Sequence, residues 1–98
     1  MQALFFIPME HYSKVRNMVM NDDLLSRQSI NFRDGNALGI DKEGYYLEIV
    51  GNEKAIAKAR EILKEFAKEI SGKEEDEILQ KIAEQEESAM TGFGSIFG

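Results

Sequence analysis

A single histidine carries most of the catalytic options in this sequence. His11 stands beside Glu10, and with Asp22, Asp23 or Asp34 it could hold a metal ion or form a small catalytic centre. The chain has no cysteine, which excludes thiolate chemistry, thiolate metal sites and any disulfide framework. Nucleophile–base pairs therefore have few candidates. Nothing fixes the spacing between His11 and the acids, and adjacent residues on a helix do not face one site. Solvated helix and turn residues are the expectation, with no enzymatic activity, metal or cofactor. The segment Gly35-Asn-Ala-Leu-Gly39 lacks the lysine and the following helix of a phosphate cradle, and reads as a hairpin turn.

Two further sets of side chains could bind rather than react. Arg60, Lys64 and Lys68 form a basic row, and with Arg27 and Arg33 they are the candidate contacts for a nucleic acid. Glu61, Glu65 and Glu69 run beside that row and cancel most of its field, as on a salt-laced solvent face. The second set is Met90, Phe93, Ile96 and Phe97, apolar residues that follow an acidic stretch. Such residues near the end of a small chain are candidate anchors for a protein partner. Met9, Met18 and Met20 are expected to fill gaps in the core.

These residues must be positioned by a modest fold. A 98-residue chain with 43% apolar residues supports one core and is not disordered. Its net charge of −6 is uneven: residues 73–98 hold Lys73 and Lys81 against seven acids. The expected division is a near-neutral α+β body over residues 1–72 and an acidic helix and glycine-rich tail over residues 73–98. The run Ala3 to Ile7 is too short to span a bilayer and lacks a basic leader. A cytoplasmic protein without a membrane partner is expected.

That same run, closed by Pro8, reads as a strand buried on both faces. Met9 to Met20 reads as a helix bearing Tyr12, Val15 and Val19, and Leu24 and Leu25 as a short helical turn or a core plug. From Gln28 the period becomes two, with turns at Asp34-Gly35-Asn36 and Asp41 to Gly44 and continued alternation at Leu38 and Ile40. Asn52 caps a helix over Glu53 to Ile70, whose stripe is Ile56, Ala59, Leu63, Phe66 and Ile70, with Gly72 as its stop. A last helix spans Glu74 to about Glu87. The resulting expectation is an α+β fold in the order β-α-(α)-β-β-α plus a C-terminal helix. It has a three-stranded, mostly antiparallel sheet with helices on one face.

Residues 3 to 70, in element order and in the segment from Tyr45-Tyr-Leu-Glu-Ile-Val-Gly to Leu63, resemble the KH domain of RNA-binding proteins. The resemblance implies a nucleic-acid-binding fold. The stretch Arg16 to Leu25 departs from it, because it lacks the GXXG loop and carries Asp22 and Asp23 instead. The stretch from Glu86-Glu87-Ser-Ala-Met to Thr91-Gly-Phe-Gly-Ser-Ile-Phe-Gly98 is similar to the C-terminal tail of archaeal and eukaryotic ribosomal stalk proteins. That tail captures translational GTPases, and the similarity implies the same anchoring role for Met90, Phe93, Ile96 and Phe97. The body departs from the stalk family, with no alanine-rich hinge. The function expected is a protein-interaction module, monomeric or weakly dimeric, whose partner is a protein such as a translation factor. A KH-like nucleic-acid-binding domain is the alternative, and a His11-based metal or enzymatic domain the third.

Overall fold

The computed structural model describes the backbone of residues 1–40 and 42–97 and the side chains of residues 1–40 and 42–87. The first strand, β1 (Gln2–Pro8), explains the rest. Ala3, Phe5 and Ile7 point to one side of it and Leu4 and Phe6 to the other, and all five are buried. A strand that is apolar on both sides needs a cover on each face and a neighbour on each edge.

One edge is filled by β3 (Gly44–Val50), antiparallel to β1 with Phe5 opposite Leu47 and Phe6 opposite Tyr46. Beyond β3 lies β2 (Ser29–Asp34), also antiparallel, with Phe32 opposite Leu47. The other edge of β1 is filled by β4 (Lys68–Ile70), which places Ile70 opposite Leu4. The sheet therefore has four strands in the order β2-β3-β1-β4, not three. With its two crossing helices the chain runs β-α-β-β-α-β, the split β-α-β arrangement also called ferredoxin-like.

The fourth strand was hidden inside an apparent helix. The second long helix, α2, spans Glu53–Leu63 and starts where expected, with the Asn52 side chain accepting a hydrogen bond of 2.8 Å from the Ala55 N–H. It stops at Leu63, whose carbonyl accepts from both the Phe66 and the Ala67 N–H groups. Ile70 keeps helical spacing from Phe66 yet lies 3% exposed in the core of the opposite face. The open edge of β1 and the uncovered side chain of Leu4 reward a strand here more than another turn of helix would. Gly72, at φ +68°, is consequently a hinge into the last helix, not a helix stop.

Helices α1 (Tyr12–Met20) and α2 cover the first face. Val15 and Val19 from α1, and Ala55, Ile56, Ala59 and Leu63 from α2, join Phe5, Ile7, Leu47 and Ile49 in one core. Met18 packs against that core, whereas Met9 and Met20 are largely exposed. The last helix, α3 (Gly72–Phe97), lies on the other face, where Ile78 and Ile82 meet Leu4, Phe6, Tyr46 and Ile70. The glycines at 92 and 94 do not end it. Leu38 and Ile40, expected to extend a strand, sit in the loop between β2 and β3, from which Leu38 is buried in this second core.

Candidate functional site

Two of the acids that might have joined His11, Asp22 and Asp34, are occupied elsewhere, and the third, Asp23, is exposed. Asp22 lies after α1, where its Oδ1 accepts from the N–H groups of Leu24 and Leu25 at 2.9 Å each. Its Oδ2 is 2.7 Å from Lys58 Nζ, so the carboxylate ties this turn to α2. The lysine hydrogen bond, followed by the Leu25 N–H, holds the Asp22 carboxyl below the usual carboxylate range, against the opposing effect of burial. Asp34 accepts from the Asn36 N–H at 2.8 Å in the turn after β2. Among the described residues no three histidine or acidic side chains come close enough to hold a metal ion.

A pH dependence follows from Asp22. Because its carboxyl is lowered in the folded state, its contribution to stability is complete above the unfolded value near pH 4 and declines as pH falls below it. Asp22→Asn should flatten the acid limb of the stability–pH profile, read from urea midpoints on either side of pH 4. It should also lower stability at neutral pH. An unchanged acid limb would refute the linkage.

The five candidate nucleic-acid contacts divide between opposite edges of the sheet. Arg27 and Arg33 belong to the β2 side, where Arg27 ends a 3-10 turn (Leu25–Arg27) and Arg33 lies on β2 itself. The Arg33 guanidinium donates to Glu86 and, at 3.4 Å, to Gln85, both on α3. Gln85 in turn donates to the Ala37 carbonyl at 3.1 Å, so the group is a clamp between α3 and the edge of the sheet. Arg60 lies near the other edge, donating from Nε to both carboxylate oxygens of Glu69 at 3.0 Å. Lys64 follows α2, while Lys68 and Glu69 lie on β4, so the two charge rows do not continue along one helix. Three inter-strand steps, about 14 Å, separate the two edges of the sheet.

Folding back into β4 creates a feature that the spacing does not announce. Between the end of β1, the 3-10 turn Met9–His11, the loop before β3 and the turn joining α2 to β4 lies a cleft of about 370 Å³. Its apolar surface comes from Phe6, Pro8, Phe66 and Ala67. Around this stand His11, Lys42 and Lys68, with Glu65 as the acid. Lys42 Nζ lies 4.3 Å from the centroid of the Phe6 ring, and Lys14 Nζ lies 4.2 Å from that of Phe66. The His11 ring meets Phe66 edge-on at 5.6 Å, with Nε2 3.9 Å from the Glu10 carboxylate. A second hollow, sharing Ala67 and Lys68, continues past Arg60 and Lys64. Among the described residues, the hollow between Glu77, Gln80, Lys81 and Glu84 is lined by α3 alone.

The side chains of Met90, Phe93, Ile96 and Phe97 lie outside the described residues; their backbone belongs to α3. Among the described residues no helix is long and apolar enough to cross a membrane. Comparison with known proteins gives no matching family model, curated protein or solved structure.

Proposed function

We propose that this protein is a non-enzymatic protein-interaction module, monomeric or weakly dimeric, that offers the end of α3 to a protein partner. The observation that carries the reading is the continuity of α3. Its contacts with the body, from Ile78 and Ile82 to the Arg33 clamp at Gln85 and Glu86, are followed by about three more helical turns, ending at Phe97. Anchoring one end of a helix limits the entropy lost when the other end is captured. Glu84, Glu86 and Glu87 precede the apolar residues and would steer the helix towards a basic groove. The likeness of residues 86–98 to stalk tails makes a translational GTPase the first partner to test.

A chain ending at Ser88 keeps every described contact of α3 and removes Met90, Phe93, Ile96 and Phe97. It should fold normally and bind a purified translational GTPase at least about tenfold more weakly than the full chain, a loss of about 1.4 kcal/mol or more. Phe93→Ala with Phe97→Ala should do the same. Equal binding by all three forms would end the proposal.

The KH-like alternative has less support. Arg33 and Arg60 already hold carboxylates, and the candidate cations do not form one track for a phosphate backbone. A titration with single-stranded RNA at low salt tests it, since phosphate-driven binding must weaken as salt is added.

A further inference from the structure

We propose that the cleft at the β4 edge binds a small organic anion: an aromatic or branched aliphatic body carrying one carboxylate or phosphate group. The cleft is a product of tertiary structure, because its walls come from four segments separated widely in sequence. Its volume of about 370 Å³ suits a small molecule. Phe6, Pro8, Phe66 and Ala67 supply an apolar surface, and apolar surface is what an aromatic or aliphatic body would cover.

Charge selects the other half of the ligand. The whole chain is acidic at −6, yet among the described residues this rim carries two lysines, Lys42 and Lys68, against the single acid Glu65. Arg33, Lys58 and Arg60 are each committed to a carboxylate within 4 Å and so are not available to a ligand. Among the described residues, Lys42 and Lys68 make no such pair. Lys42 is held against the Phe6 ring, which restricts where its ammonium can go and lowers the cost of fixing it on a ligand. A concave surface with one excess sign attracts the opposite charge. A nucleic-acid strand fits poorly, because Arg60 beyond the cleft already holds Glu69 and the described cations do not form one continuous track for a phosphate backbone. The modest volume likewise favours a small molecule over a long acidic peptide.

The test is a titration of the full chain, read from backbone amide NMR shifts, with phenylacetate, phenyl phosphate, inorganic phosphate, benzyl alcohol and benzylamine. One or both phenyl anions should shift the amides of His11, Phe66 and Ala67 saturably at millimolar concentrations, and whichever binds tighter identifies the preferred anion. Inorganic phosphate and benzyl alcohol, each carrying half the ligand, should bind more weakly, and benzylamine should not bind. Lys42→Ala and Lys68→Ala should each weaken the tighter anion by about fivefold, the scale of an exposed charge pair of about 1 kcal/mol. Both lysines are exposed, so both variants should stay folded, with Lys68→Ala keeping the wild-type thermal midpoint and Lys42→Ala losing only its contact with the Phe6 ring. Glu65→Gln should tighten binding. The proposal is overturned by absent or non-saturable shifts, by benzylamine binding as well as the anions, by indifference to both lysine substitutions, or by an acidic peptide binding where the small anions do not.

Discussion

Replacing Gly44 by alanine should destabilise the protein by between about 2 and 6 kcal/mol, combining backbone strain with overpacking. Gly44 opens β3 opposite Pro8, and its φ is +150°, in a region that L-residues rarely adopt. A Cβ built there would lie 2.5 Å from the Ile7 carbonyl oxygen and 2.6 Å from Cζ of Phe6. The carbonyl belongs to β1, one of the two inner strands, and the ring is packed in the second core, so neither can retreat cheaply. The loss would consume a large part of the 5 to 15 kcal/mol of about an ordinary domain. Gly39 is the control: its φ is +77°, yet nothing lies within 4 Å of a Cβ built there. Gly39→Ala should cost only about 1 kcal/mol, the backbone contribution alone. Urea unfolding of the two variants separates the effects. If Gly44→Ala is no worse than Gly39→Ala, the close approach of β3 to β1 is not as tight as described.

The contrast between the two glycines marks a limit of sequence reading. Both stand in turn-like surroundings, and only the packing of Phe6 and the Ile7 carbonyl distinguishes them. What was legible was local or periodic. The apolar run of β1 announced burial on both sides, the alternation of Tyr45 to Val50 announced β3, and Asn52 announced the start of α2. What was not legible depended on a partner remote in sequence. Ile70 is in step with the apolar stripe of α2, and three residues are too few for a strand period to contradict it. Its position is decided by the vacant edge of β1, more than sixty residues earlier. Leu38 alternates as a strand residue would, but a loop carries it under the sheet.

The candidate sites follow the same rule. The separation of Arg33 from Arg60 could not be read from their positions, because it results from the order of strands. The cleft was missed because Lys42 and Lys68 belong to a loop and to the unforeseen strand, while Phe6 and Phe66 read simply as core residues. Its advance signals were His11, singled out for its chemistry, and Lys68, singled out as a candidate phosphate contact, both placed on the rim. The acidic helix was legible as a helix, but its docking depends on Leu4, Phe6, Tyr46 and Ile70 presenting a second apolar face.

That docking is the subject of the other large effect. Replacing Ile78 and Ile82 together by alanine should remove about 4 to 10 kcal/mol, taking about 2 to 5 for each buried isoleucine. These are the two buried side chains that α3 contributes to the second core among the described residues. Leu79 is only partly buried, and the Arg33 clamp is half exposed, so among the described residues little else holds the helix. Among the described residues, the first core, from Phe5 and Leu47 to Val15, Ile56 and Leu63, has no member on α3. The expected result is therefore release of α3 before the sheet unfolds: amides of residues 75–86 lose hydrogen-exchange protection while those of β1 and β3 retain part of theirs. Tyr46 gives an independent reading. Burial, assisted by Glu74, raises its phenol above the ordinary value of 10.0, so its contribution to stability is present below that value and declines as pH rises through it. Release of α3 takes away Glu74 and the part of the burial due to Ile78 and Ile82, and the Tyr46 titration followed by NMR should move back towards 10.0. If the whole chain instead loses protection at once, the second core is indispensable to the sheet. A partner would then meet α3 as a rigid arm of the folded body, because detaching the helix would require unfolding the domain.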